Sequence, residues 1–189
     1  FKKDILNLVY LCNFYGLPEV ASYWESVVKI NEYQQERFVT NIIASMFNTL
    51  AGKKICIMGF AFKGNTGDTR ESPAIYITRR LLEERAEVII SDPQALKNAA
   101  LDLAAEKGSI TYREDPYLAA ASCHALAILT DWDLYRKLDY KKIYKTMVKP
   151  AFLFDGRNIT DHKKCFAIGF NVYPTGKPPL SHFKSRQES

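Results

Sequence analysis

Metal-ligating and redox residues are scarce in this sequence, and their spacing excludes more than their number does. The four cysteines (Cys12, Cys56, Cys123 and Cys165) and three histidines lie far apart, with no C-x-x-C pair. That arrangement offers neither a zinc site nor a disulfide framework, so no metal is expected. Each Cys sits in an apolar or mixed segment, which predicts buried, reduced thiols in a cytoplasmic protein. No apolar run approaches the ~20 residues of a membrane span. The start, Phe1-Lys2-Lys3-Asp4, has no apolar stretch of the signal-peptide kind. The net charge is +5, but Lys and Arg form no long run. Neither a membrane nor a nucleic-acid partner is therefore expected. The mild positive field suits an anionic small molecule, or is simply an ordinary surface. There is no internal repeat. An initiator Met is also missing, which points to a piece of a longer chain.

What is present is globular: 47% of residues are hydrophobic and 25% charged, enough for a packed core. Residues 4–15 read as a helix capped by Asp4 and apolar on nearly every face. Such a helix needs cover on most sides, more than the rest of this chain supplies. Gly16 ends it and Pro18 starts the next. From Pro18 to Leu50 no Gly or Pro intervenes, and Val20, Trp24, Val27, Asn31, Phe38, Ile42, Met46 and Leu50 recur at helical steps. The spacing predicts one amphipathic helix of roughly 50 Å, at 1.5 Å per residue, ended by Gly52. It reads as a spine between domains and along a partner subunit, or as an ordinary core helix.

From Lys53 strands and helices alternate. Strands are expected at 54–58, 87–90, 109–112, 125–129 and 151–154, with an edge at 167–168 and 171–172. Helices are expected at 74–84, 96–106, 116–121, 131–138 and 140–147, the first with Ser72 as N-cap and Pro73 in its first turn. This alternation predicts an α/β fold with a doubly wound, mostly parallel, Rossmann-like sheet. Residues 177–189 are expected to be disordered.

The loop Gly59–Ser72, GFAFKGNTGDTRES, joins the first strand to the following helix. Asn65 stands where a Walker A loop needs Lys, and Gly59-Phe60-Ala61 breaks G-x-G-x-x-G. The loop is then a phosphate cradle on a helix N-terminus, with Lys63 and Arg70 as cations, or a glycine-containing loop with solvated charges. Asp92 ends the second strand, where a dinucleotide domain holds its ribose acid. Without the glycine fingerprint that role is rejected. Arg157, after Asp155-Gly156, is either a surface turn residue or an anion clamp converging with Lys63.

Phe62-Lys63 followed by Thr66, Asp68, Arg70, Glu71 and Ser72 resembles the signature of the nucleotide-sugar 6-dehydrogenases. Phe1-Lys2-Lys3-Asp4, Leu129-Thr130-Asp131-Trp132 and Phe154-Asp155-Gly156-Arg157 resemble further segments of that family in the same order. The resemblance covers about residues 1–176 and is nearest to animal-type members acting on UDP-glucose. It implies the C-terminal part of an NAD-dependent enzyme that oxidises UDP-glucose to UDP-glucuronate in two hydride transfers through a cysteine thioester. A family member acting on GDP-mannose or a UDP-amino sugar is the alternative. The resemblance implies that Asp4 is catalytic, that Phe1, Lys2, Lys3 and Arg70 serve the cofactor, and that Phe62, Lys63 and Arg157 bind the nucleotide sugar. The nucleophilic cysteine would directly precede Phe1, beyond an upstream NAD domain, and this chain alone would be inactive. Residues 1–52 would then belong to a central dimerisation domain and 53–176 would form the UDP-sugar domain. Ser45–Thr49 resembles a hexamer-forming segment, so a homo-oligomer is expected: a dimer through the long helix, assembled into a hexamer. Lys2 departs from the animal pattern, and Gly64-Asn65 and Asn158 look more like bacterial relatives. If the chain acts by itself, it is a non-catalytic nucleotide-binding or oligomerisation module.

Overall fold

The structure, a computed structural model, describes residues 2–183. Phe1, assigned to the cofactor side, lies outside the described residues, as does the end of the tail from 184 onward. Two helices come first, α1 (Lys2–Phe14) and α2 (Pro18–Ser45). An alternating unit follows: β1 (Lys54–Met58), α3 (Pro73–Glu83), β2 (Glu87–Ser91), α4 (Leu96–Asp102), β3 (Ile110–Tyr112), α5 (Pro116–Ala120) and β4 (Ala125–Ile128). It closes with α6 (Asp133–Arg136), α7 (Tyr140–Thr146), β5 (Phe152–Asp155), α8 (His162–Ile168) and β6 (Asn171–Pro174).

The strands form one parallel six-stranded sheet in the order β3-β2-β1-β4-β5-β6. Parallel strands need crossovers, and helices on both faces bury them. Every residue of β4 and β5 is accordingly buried. The chain winds outward from β1 to β3 and then returns to place β4 on the other side of β1. That reversal opens a crevice beyond the carboxyl ends of β1 and β4, the place where doubly wound sheets bind ligands.

Several elements differ from the sequence pattern. The first helix begins at Lys2, so Asp4 is no cap; it lies in the first turn, where a carboxylate favours the helix dipole. The long helix stops at Ser45 rather than Leu50, before Gly52. Phe47 and Asn48 turn left-handed there, at φ 65° and 56°, and the Asn48 amide closes back on the Ile43 carbonyl at 2.9 Å. Met46 and Leu50 stay in the core beyond the helix end. The fourth helix stops at Asp102, short of residue 106. The edge expected at 167–168 is instead the end of α8, which Asp161 caps by accepting the Lys164 amide.

The tail, expected to be disordered from residue 177, lies along the sheet as far as it is described. Leu180 exchanges two 2.8 Å backbone bonds with Val172, and Phe183 packs against the rings of Phe47 and Phe152. Leu180 is half-buried against the core and Phe183, still exposed, gains ring contacts, and these offset the ordering cost. The opposite holds at the amino end. α1 packs along α2, yet Tyr10, Phe14 and Tyr15, with Tyr23, Ile30 and Tyr33 of α2, remain exposed. Among the described residues no helix is long and apolar enough to cross a membrane.

Candidate functional site

The loop after β1 is held by residues far away in sequence. Asp92, at the end of β2, is buried, and its carboxylate is saturated with donors. Oδ2 accepts the amides of Phe60 (2.7 Å) and Ala61 (3.0 Å) and the indole N–H of Trp132 (3.1 Å). Oδ1 accepts the amides of Gln94 and Ala95, each at 2.8 Å. A carboxylate offers about four lone-pair sites, so Asp92 has no capacity left for a ribose. The segment after β4 completes the brace. Thr130 donates to the Ala61 carbonyl at 2.6 Å, and Asp131 accepts the Gly64 amide at 3.3 Å. Gly59 has φ +93°, and a Cβ there would come within 2.4 Å of Thr130 Cβ, so only glycine lets the two segments approach this closely.

The turn after β5 crosses the same crevice. Arg157 donates from Nε to the Leu129 carbonyl at 2.7 Å and from Nη2 to the Phe62 carbonyl at 3.3 Å. β4 separates β1 from β5, yet the guanidinium spans it. Two carbonyl bonds fix its plane, and a five-donor fork keeps further N–H groups for an anion. Behind it, buried Asp155 accepts the Arg157 amide, the Thr160 amide and the Thr160 hydroxyl, and contacts His162 Nε2 at 3.1 Å. Burial pushes the Asp155 carboxyl up, but the bonds from Thr160, Arg157 and His162 outweigh it and hold the group below its ordinary value of 3.8.

Phe62 also faces a cleft of about 750 Å³ between α1, α2 and the start of α3, whose walls include Lys2, Glu32 and Glu71. Lys2 Nζ lies 3.1 Å from Glu32 and 3.9 Å from Glu71. Lys3 and Asp4 are exposed on the first turn of α1. Lys63 is exposed on the β1 loop. Arg70 is exposed and gripped by Asp68, whose carboxylate accepts from Nε and Nη2 (2.6 Å for the latter); this pulls Asp68 down to about 2. Phe62 and Arg157 are therefore brought together, and Phe62 shares a cleft with Lys2. Arg70 is paired with Asp68 instead, and Lys3 and Asp4 are not among the residues lining that cleft.

A helix N-terminus as phosphate cradle is corrected by the geometry of α3. Pro73 has no N–H, the Ala74 amide bonds the Ser72 hydroxyl, and the Ile75 amide bonds the Ser72 carbonyl. Capped this way, the helix start is already satisfied, and recognition falls to side chains. A second cleft, of about 700 Å³, lies between α2 and the ends of β5 and β6, lined by Arg37, Phe38, Phe154, Tyr173 and Lys177. All four cysteines are buried. Burial raises the thiol of Cys56 well above its usual range and pushes Cys123 and Cys165 up to about 12, which makes them poor nucleophiles.

Reasoning from sequence left Asp92, Thr130 and Trp132 without a role in this site. The partners that tie them to the β1 loop and to each other lie 31 to 69 residues away, and no local pattern announces them. Asp92 directly after a strand was the one available signal, and it pointed to a ribose.

Sheet order and the crevice at its reversal define a doubly wound, Rossmann-like α/β domain. A family described as UDP-glucose/GDP-mannose dehydrogenase, UDP binding domain, matches residues 56–162, and the chain belongs to that family. It is 49% identical to UDP-glucose 6-dehydrogenase 2 of Oryza sativa subsp. japonica, over 97% of this chain and 42% of the relative. It is 50% identical to UDP-glucose 6-dehydrogenase 1 of Glycine max, over 94% of this chain and 41% of the relative. The chain thus spans about two-fifths of the length of these relatives. Among solved structures, a UDP-glucose dehydrogenase from the archaeon Pyrobaculum islandicum superposes with a TM-score of 0.72 at 30% identity, covering 91% of this chain and 35% of that one.

Proposed function

We propose that this chain is the UDP-sugar-binding, C-terminal part of an NAD-dependent UDP-glucose 6-dehydrogenase. The enzyme would convert UDP-glucose to UDP-glucuronate in two hydride transfers through a cysteine thioester. The observation that carries the reading is Arg157 bridging to the Phe62 carbonyl across β4, which sets a planar cation over the β1 loop. Phe62, Lys63 and Arg157 then take the diphosphate side of the substrate, with Lys63 as a point charge and Arg157 as a fork.

The nucleophilic cysteine is assigned to sequence preceding Phe1, in keeping with the buried, raised thiols found here. NAD, when bound, supplies the hydride acceptor. The residues present fit it only at its margin. Asp92 has no capacity for a ribose, so this sheet is not its seat, while exposed Arg70 and half-buried Lys2 suit outlying phosphates. Lys3 and Phe1 are assigned to the same side, and Asp4 to positioning the water that releases the product. The protein is placed in the cytoplasm, where buried free thiols stay reduced. It is assigned a homo-oligomeric state, a dimer through α2 assembled into a hexamer.

The test is turnover by the native protein with UDP-glucose and NAD, followed as NADH formation, beside Arg157→Ala. UDP-glucose is expected to be oxidised, and the variant to raise KM by about tenfold or more, since a bond to a charged group contributes about 1.5–3 kcal/mol. Preference for GDP-mannose, or an unchanged KM in Arg157→Ala, would sink the assignment.

A further inference from the structure

We infer that Asp92 is a positioning residue for the nucleotide site, acting through the Phe60–Lys63 segment, with Trp132 as its partner. The inference rests on the reading of that segment as part of a diphosphate site. Asp92 touches no ligand in this account; its work is done before one arrives.

The geometry is specific. Within the β1 loop, Phe60 and Ala61 immediately precede Phe62 and Lys63, and both of their amides point at one carboxylate oxygen. The same oxygen takes the Trp132 indole N–H, which ties it to the chain leaving β4. Two residues before Trp132, Thr130 holds the Ala61 carbonyl; one residue before that, the Leu129 carbonyl holds Arg157 Nε. A single stretch, Leu129–Trp132, is therefore fastened to both limbs that face the ligand. One limb is the β1 loop, reached through Asp92 and Thr130; the other is Arg157. Fixing two limbs against one brace sets the spacing between the β1-loop backbone and the Arg157 guanidinium in advance. A site whose donors are already in place spends less binding energy on ordering itself. The other oxygen of Asp92 anchors the carboxylate to its own turn through Gln94 and Ala95, so the group has no alternative rotamer at low cost. Charge-assisted bonds of this kind are stronger than neutral ones, and burial strengthens them further.

The test uses the 189-residue chain with UDP as the probe. Asp92→Asn and Trp132→Phe are compared with Arg157→Ala by calorimetric titration, and amide hydrogen exchange is read residue by residue. Asp92→Asn is expected to weaken UDP about tenfold and Trp132→Phe a few-fold. Exchange at Phe60 and Ala61 should rise about tenfold in both while Ile57 and Leu126 keep their protection. Loss of protection throughout the sheet, in step with the loss of affinity, would reduce Asp92 to a fold-stabilising residue and overturn the inference. If UDP binds both variants as it binds the unaltered chain while Arg157→Ala binds poorly, the positioning role is wrong and the site stands. If the unaltered chain does not take UDP, or Arg157→Ala matches it, the site reading fails and the positioning role with it. Should Asp92→Asn not fold, Trp132→Phe decides alone, because it removes one N–H and keeps an aromatic ring in place.

Discussion

Asp155 is a fully buried carboxylate that accepts bonds from Thr160 and Arg157 and contacts His162 at the end of β5. These bonds outweigh its desolvation, so its folded pKa lies below the ordinary 3.8. A carboxylate depressed in the folded state stabilises the fold above its unfolded pKa, and that contribution is lost as pH falls through the folded value. Stability is therefore expected to hold from neutral pH down to about 5 and to drop as pH passes below about 4. Asp155→Asn should cost about 1–3 kcal/mol at neutral pH and flatten that acid limb. Urea unfolding at a series of pH values measures both, and an acid limb as steep in the variant as in the unaltered chain would refute the assignment. Asp68 also titrates low, at about 2, but it is exposed and screened, so Asp68→Asn serves as a control that barely moves the curve. At this scale a resemblance named Arg157 and Phe62, which the structure brings together. The sequence did not show the Asp92 network, whose donors Phe60, Ala61 and Trp132 lie far away in the chain, nor the Asp155 network, whose nearby donors follow no recognised motif.

α2 was legible in its body and not at its end. The three- and four-residue recurrence from Val20 to Ile42 is a local signal, and the helix follows it. Its stop depends on Phe47 adopting φ 65°, a conformation that bulky residues rarely take. Tertiary contacts hold it there: the ring meets Phe152 and Phe183 edge-on, and Lys53 lies 5.5 Å from its centroid. Those partners come from elsewhere in the chain, so helical periodicity could not anticipate them. The same element displays Tyr23, Ile30 and Tyr33 to solvent on one face, at 65%, 59% and 62% exposure. Clustered exposed apolar side chains of this kind suit an interaction surface. With a second copy as the proposed occupant, the unaltered chain should sediment as a dimer and Ile30→Glu/Tyr33→Glu as a monomer. A dimer that persists in the double variant would place the interface elsewhere.

Across the whole molecule, strand and helix alternation was enough to give a parallel doubly wound sheet, because each crossover is a local βαβ unit. α8 escaped because Ala167-Ile168, read without its Asp161 cap, looks like an edge strand. The site belongs to the larger scale. Arg157 meets Phe62 across 95 positions, and Trp132 meets Asp92 across 40, so it exists only once the sheet order is set. A UDP titration of this chain, followed by amide chemical shifts, tests the Phe62–Arg157 site most directly. Perturbation is expected at Phe62–Gly64 and at Gly156–Asn158, on both sides of the β4 end. Shifts confined to the cleft beside Arg37, Phe154 and Lys177, or no shifts at all, would contradict it.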